Sequence, residues 1–406
     1  MDVLFLTLSR IADVRSHGIY TDLMRKFRDE GNSVYIVTPH ERRFGKKTEL
    51  VDCDGVKVLG VKTLNIQKTN VVEKGIGTLF IESQYKSAIK KFFADVKFDL
   101  VLYSTPPITF TKVVKFVKQQ NPQVVSYLLL KDIFPQNAVD IGMFGKNSLF
   151  YKMFRQKEVE LYKTSDYIGC MSPANVKFVL EHNDFIDPNR VEVAPNSIEV
   201  ETKEKSTEEI AQERIAIREK YKFPQDKPIF IYGGNLGKPQ GIPFLIQSLD
   251  ALKNRSDVHF VIAGDGTEYG RIQYWMDSAK PQNVSLFKRL PKEDYEALAR
   301  NCDVGLIFLD HRFTIPNYPS RLLSCLAAKM PIIAATDSNT DIGKIAEENG
   351  YGYWCESNDV KAFVACVDKM LASDRKAMGK VGYKFLLENY QVKNTYNAII
   401  RHLGMV

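Results

Sequence analysis

The chain has 406 residues, 44% hydrophobic and 26% charged, which excludes a disordered or fibrous protein and is too long for one typical core, so two domains are expected. The opening MDVLFLTLSR is apolar for only a few residues, no later run reaches spanning length, and six cysteines lack any C-x-x-C spacing. This argues against a signal peptide, a membrane span or a disulfide framework and predicts a reduced, cytoplasmic protein. The net charge of +7 is modest but uneven: from Lys86 to Lys157 there are twelve Lys or Arg against four Asp.

In chain order, the apolar run Val3 to Thr7, a loop at Arg15 to Gly18, an amphipathic stretch from Ile19 to Glu30 and a second run from Val34 to Thr38 read as strand, loop, helix, strand. Asp52-Cys53-Asp54 spells the D-x-D that some transferases use to hold a metal-bound nucleotide, but Asp54-Gly55 between strand-like segments reads as a hairpin turn. The basic window 86–157 is interleaved with Phe92, Phe93, Phe110, Phe116, Phe144, Phe150, Tyr151 and Phe154. It suits either an anionic lipid surface or helices with Lys outward and Phe in the core. No nucleic-acid recognition module appears. Leu100 to Ser104, Val124 to Leu130 and Tyr167 to Met171 continue the strand pattern, and YLLLKDIFPQNAVDIG places Asp132 just past a strand end.

Residues 201–227 turn polar and charged and read as a linker with a surface helix. Strand signals restart at Pro228 to Tyr232 and recur at Phe260 to Ala263, Val284 to Phe287, Val304 to Phe308 and Pro331 to Ala335. The boundaries are therefore 1–200, 201–227 and 228–382, with an amphipathic tail at 383–406 expected to pack back on the first domain. Ligands of open α/β sheets bind beyond the carboxyl ends of the strands, so loops of both domains are candidates for the site.

The string IYGGNLGKPQGIPFLIQSL, 231–249, carries four glycines with Asn235, Lys238 and Gln240. It reads as a phosphate-binding strand-to-helix turn, against the alternative of a turn that needs glycine only for its shape. VIAGDG, 261–266, and the segment from Val284 through Arg289 follow, and then FLDHRFTIPNYPSRLLSCLAAKMPIIAATDSNTDIGKI, 308–345. Together these strings resemble glycosyltransferase family 4, retaining enzymes of the α/β GT-B fold with two Rossmann-like domains facing across a cleft. The GN-x-G-x-x-Q string and Pro319-Ser320-Arg321 resemble the capsule and O-antigen sub-group that includes N-acetyl-L-fucosaminyl transferases. The sequence departs from the wider family in two places. Asn235 and Gln240 stand where an Arg and a Lys bind the donor diphosphate, and Pro316 and Ser324 stand where a glutamate pair holds the donor.

The resemblance implies donor binding by Gly18, Gly234, Asn235, Gln240, Asp265, Arg289 and Ser320, with Asp132, Lys238 and Arg321 as catalytic residues. Lys238 and Arg321 would hold the leaving diphosphate and Asp132 the acceptor hydroxyl. The simpler readings are a helix-start cation for Arg321, a cap for Asp132, a tight turn for Asp265 and a structural role for His17. Asn196 is left between holding the linker and lining the cleft. No metal, cofactor or protein nucleophile is implied. The implied reaction moves a sugar from a UDP-linked donor to a polyisoprenyl-diphosphate-linked saccharide, in a protein peripheral to the inner face of the cytoplasmic membrane. The replaced glutamates favour an N-acetylated deoxy sugar. The rival classes are a UDP-N-acetylglucosamine 2-epimerase-like isomerase and a catalytically idle nucleotide-binding partner.

Overall fold

The computed structural model describes residues 1–66, 71–200 and 206–404. The chain forms two compact units, Met1–Glu199 with Tyr390–Val406, and Val200–Asn389. Both are parallel-sheet, Rossmann-like domains.

The first unit holds β1 (Asp2–Leu6), β2 (Ser33–Glu41), β3 (Glu49–Cys53), β4 (Val56–Thr63), β5 (Leu100–Ser104), β6 (Val125–Leu130), β7 (Tyr167–Cys170) and β8 (Val191–Val193). Their order is β3-β4-β2-β1-β5-β6-β7-β8. Val3 pairs in parallel with Val34 on one side and Leu100 on the other. Helices cover both faces, which is why β1, β5 and β6 read as continuous apolar runs and not as alternating ones. The order reverses at β1 and β5, so the crevice between their C-terminal loops is where such a sheet binds ligands.

Among the described residues only β3 runs antiparallel, joined to β4 by Asp54 and Gly55, both at positive φ (58° and 76°). This is the backbone of a tight hairpin turn. Gly55 N–H donates to Asp52 Oδ1 at 3.0 Å and Arg28 pairs with Asp54, so both carboxylates of the D-x-D serve the turn.

Near its end the chain returns to this unit. The helix Val392–Ile400 places Val392, Tyr396, Ile399 and Ile400 in the core with Leu23, Met24 and Phe27, and the Phe27 and Tyr396 rings meet at 4.8 Å. Backbone bonds from Ile198 N–H to the Tyr390 carbonyl and from Val392 N–H to the Ile198 carbonyl tie the two passes together. Residues 383–389, read from the sequence as part of this returning tail, instead finish the helix Arg375–Asn389 of the second unit. Gly379 and Gly382 of that helix lie against the Lys329 carbonyl and Leu326.

The second unit holds β9 (Ile229–Asn235), β10 (His259–Asp265), β11 (Val284–Phe287), β12 (Val304–Phe308), β13 (Ile332–Thr336) and β14 (Gly352–Glu356), all parallel, in the order β11-β10-β9-β12-β13-β14. The reversal falls between β9 and β12. Phe230, Phe260, Leu245, Leu249 and Ile272 are fully buried in its core, each contributing about 1.5–3 kcal/mol of burial free energy.

The helix Thr207–Lys220 is the surface helix expected within 201–227, and it is bolted to this unit. Ser206 and Glu209 close a reciprocal cap at its start. Arg218, 1% exposed, donates to Asp303 at 2.7 Å and to the carbonyls of Pro224 and Lys227, and Arg214 reaches the other Asp303 oxygen at 2.7 Å. Asp303 also accepts from Ile229 N–H at 2.7 Å, which joins the helix directly to the start of β9.

Candidate functional site

The crevice at the β9–β12 reversal is built from glycines because backbone and rings crowd it. Gly234 sits at φ 132°, a conformation that favours glycine. A Cβ on Gly264 would lie 2.0 Å from the Gly234 carbonyl oxygen, so β9 and β10 can approach there only without a side chain. The hydroxyl of Tyr295 occupies the space over Gly233. Tyr232 donates from its hydroxyl to the Asn235 carbonyl at 2.8 Å, fixing the turn that follows β9. The loop after β12 closes the other side, with Asp310 N–H donating to the Pro239 carbonyl at 3.0 Å. Burial pushes the Asp310 carboxyl up, but its paired bonds to Arg312 more than offset this and leave it lowered.

Arg321 enters this crevice from the first residue of the helix Arg321–Ala327. Its guanidinium carbon lies 4.4 Å from the centre of the Tyr232 ring, and its terminal nitrogens border Gly234. One of them, Nη1, is buried with no hydrogen-bond partner. Among the described residues Arg321 has no acidic partner. An arginine held on an aromatic face beside an open glycine turn, with no acidic partner among the described residues, carries a charge that an anion could neutralise.

The other sequence-selected residues of this unit divide between structural and open roles. Lys238 is exposed and makes no ion pair among the described residues. Asn235 Nδ2 donates to Gln240 Oε1 at 3.0 Å, and Gly237 N–H donates to the same oxygen at 3.2 Å, so this pair already shapes the turn. Asp265 accepts from Gly266 N–H at 3.0 Å and its carbonyl accepts from Leu236 N–H, in keeping with a tight turn. Ser320 is exposed and its hydroxyl caps no amide. Arg289 is exposed beyond β11, the edge strand, two strands from the reversal. Pro316 is buried and Ser324 exposed. Tyr232 and Tyr295 were not selected from the sequence, where buried aromatics near strand ends look like ordinary core.

In the first unit, Asp132 follows β6 at the crevice side. Thr105 Oγ1 accepts from Lys131 N–H at 2.9 Å and from Asp132 N–H at 3.1 Å, which orients both residues. Burial raises the Asp132 carboxyl to about 6 and lowers the Lys131 ammonium to about 7. Lys131 Nζ donates to the Ala194 carbonyl at 3.3 Å. Tyr20 lies close by, its phenol pushed up to about 12 by burial and, to a smaller extent, by Asp132. Lys131, Thr105 and Tyr20 escaped the sequence reading; Thr105 could have been suspected from the two prolines that follow it at a strand end.

Gly18 precedes the helix Ile19–Asp29, and its N–H donates to Asp22 Oδ1 at 2.9 Å, so this amide is engaged by its own helix. His17, Asp22 and Glu199 bring ligand-type atoms within 4.8 Å of one another, the kind of cluster that can hold a metal. Arg25, however, already bonds Asp22 at 2.7 Å and Glu199 at 2.9 Å. A guanidinium between the carboxylates supplies the positive charge that a metal ion would bring, and the residues do not fit one.

Residues 213–385, all within the second unit, match the family model "Glycosyl transferases group 1". Among curated proteins, the chain is 26% identical over 265 residues to "Probable glycosyltransferase WbjE" of Pseudomonas aeruginosa, covering 65% of this chain and 64% of that protein. It is also 26% identical over 157 residues to "Putative colanic acid biosynthesis glycosyl transferase WcaI" of Escherichia coli K12, covering 38% of each. The matches thus span less than two thirds of either relative. In fold, the chain is similar to the solved structure "Trehalose-6-phosphate from E. coli bound with UDP-2-fluoro glucose", with a TM-score of 0.73 and 10% identity over 100% of this chain and 99% of that one. No helix among the described residues is long and apolar enough to cross a membrane.

Proposed function

We propose that the protein is a retaining glycosyltransferase that moves a sugar, an N-acetylated deoxyhexosamine being favoured, from a UDP-linked donor to a polyisoprenyl-diphosphate-linked saccharide in capsule or O-antigen assembly at the inner membrane face. The observation that carries this reading is Arg321, a cation without an acidic partner among the described residues, set against Tyr232 beside the Gly234 turn. The names of the relatives, one of them for colanic acid biosynthesis, support the polysaccharide context. The UDP-sugar in the similar solved structure supports the donor class.

The chemistry required of the residues is electrostatic. As the bond between the anomeric carbon and the donor diphosphate breaks, negative charge gathers on the departing phosphate oxygens. Arg321 and Lys238 stabilise it most where it is greatest, in the transition state. The acceptor oxygen forms the new bond on the same face, and its proton passes to the leaving phosphate. Asp132, ionised above about pH 6, accepts a hydrogen bond from the acceptor hydroxyl and orients it.

The test is thermal stabilisation of the purified protein by UDP, GDP, dTDP and CMP, then by their sugars. A selective shift with UDP is expected; near 100 Kd of ligand it corresponds to about 2.7 kcal/mol. No shift with any nucleotide would overturn the donor site.

A further inference from the structure

The basic, aromatic window 86–157 resolves into buried and outward residues, and the outward ones gather at one place. Phe93 and Phe110 are core residues. Phe116 lies under Lys86, and Phe144 and Phe154 pack with Phe134 at ring distances of 5.0–6.3 Å. What points outward is Met143 (65% exposed), Leu149 (82%), Phe150 (63%) and Met153 (41%). Leu149, Phe150 and Met153 begin the helix Leu149–Thr164, capped by Ser148, and their spacing puts them on one face. Four large apolar side chains this exposed within eleven residues form a patch that a water-facing surface does not explain.

The charges around the patch select its partner. From Ile141 to Lys157 there is no acidic residue, and Lys146, Lys152, Arg155 and Lys157 lie in or beside the patch. Arg155 is paired with Glu158. Lys146 and Lys152 are exposed and make no ion pair among the described residues. Apolar side chains that cap a helix start, ringed by free lysines, match the interface of an anionic bilayer, where the acyl boundary takes the former and phosphates the latter. Phe144 and Phe154, next in sequence to Met143 and Met153, pack on each other and on Phe134, which ties the two ends of the patch together. Tyr151 and Asp140 each bond Gln136, four residues beyond Asp132, and so link the patch to the crevice side of the first unit.

We propose that Met143, Leu149, Phe150 and Met153, flanked by Lys146 and Lys152, dock the protein on anionic phospholipid. The inference deepens the proposed function, because it gives a membrane-borne acceptor a place to meet the protein, and it rests on that reading for its purpose alone.

The experiment is vesicle flotation of the full chain, without donor or acceptor, on phosphatidylcholine alone and on phosphatidylcholine mixed with phosphatidylglycerol. Wild type is expected to float only with the anionic vesicles. Leu149→Ser/Phe150→Ser should weaken binding at least about tenfold, and Lys146→Glu/Lys152→Glu should weaken it by a similar factor. Tyr274→Ser, which removes an aromatic side chain 76% exposed in the second unit, should float as wild type does. Unchanged unfolding temperatures exclude misfolding as the cause. Equal flotation on both vesicle types, no flotation of wild type, or flotation unaffected by the Leu149 and Phe150 changes would each overturn the proposal. So would concentration-dependent dimerisation lost in the same variant without vesicle binding, since the patch would then meet a second copy. Nucleotide stabilisation, measured separately, tells failure of the donor site from failure of this surface.

Discussion

Removing Arg321 should separate nucleotide affinity from stability. In Arg321→Ala the protein loses the guanidinium over Tyr232, 4.4 Å from the ring centre, a contact of about 1–2 kcal/mol when desolvated. It also loses a buried nitrogen donor that has no partner, and relief of that group returns about 1–3 kcal/mol. The two nearly cancel, so the unfolding temperature should hardly move. Binding has no such compensation. A charge-assisted contact to a diphosphate contributes about 1.5–3 kcal/mol, so UDP should bind about 10- to 100-fold more weakly. Uridine lacks the diphosphate and should bind both proteins alike. Arg321→Lys keeps the charge but not the fork and should recover only part of the loss. Isothermal titration with UDP and uridine on all three proteins measures this. A UDP affinity within about twofold of wild type, or an equal loss for uridine, would refute the assignment of Arg321 to the phosphates.

Asp303→Ala should destabilise the second unit by about 3–5 kcal/mol, because it strands the buried Arg218 without its counter-charge; the midpoint of urea unfolding checks this, and a shift under about 1 kcal/mol would contradict it. Asp132→Asn tests the raised carboxyl. With a folded value near 6 against 3.8 when exposed, the folded state holds the proton longer, so wild-type stability falls as pH rises from about 4 through about 6. The variant should lose that fall and exceed wild type at pH 7 by on the order of 1–3 kcal/mol. In the proposed transfer reaction it should also lose the rising limb of rate near pH 6. Identical pH dependence of the unfolding temperature in both proteins would sink the assignment.

Much of the architecture was legible because parallel strands buried on both faces are simple apolar runs. Leu100 to Ser104, Val284 to Phe287 and Val304 to Phe308 have the same bounds in the sequence reading and in the fold. β8, three residues long, and β14, which starts on Gly352 and has only Tyr353, Trp354 and Cys355 before Glu356, gave weak periodic signals. The region 201–227 read as a linker with a surface helix because Thr207–Lys220 is polar on most sides, and the helix is there. Its attachment depends on Arg218 finding Asp303, 85 residues away, which no local pattern reveals. The candidate site was legible in its glycines and in Arg321, whose surroundings break local rules. The environment of Asp132 was not, since burial that lifts a carboxyl to about 6 comes from neighbours such as Tyr20 on another element. The bond from the Gly18 amide to Asp22, one turn later, was likewise not legible, since it depends on how the helix start folds back on its own side chain.

The return of Val392–Ile400 to the first unit has a consequence for how the protein is made. Leu23, Met24 and Phe27 are made before the whole of Val200–Asn389, yet side chains that cover them are made only after it. Until then the first unit leaves those apolar side chains uncovered, the kind of surface that aggregates or recruits chaperones. The second unit, continuous in the chain, can finish its core first, so the order of completion on the ribosome is the reverse of the order of synthesis.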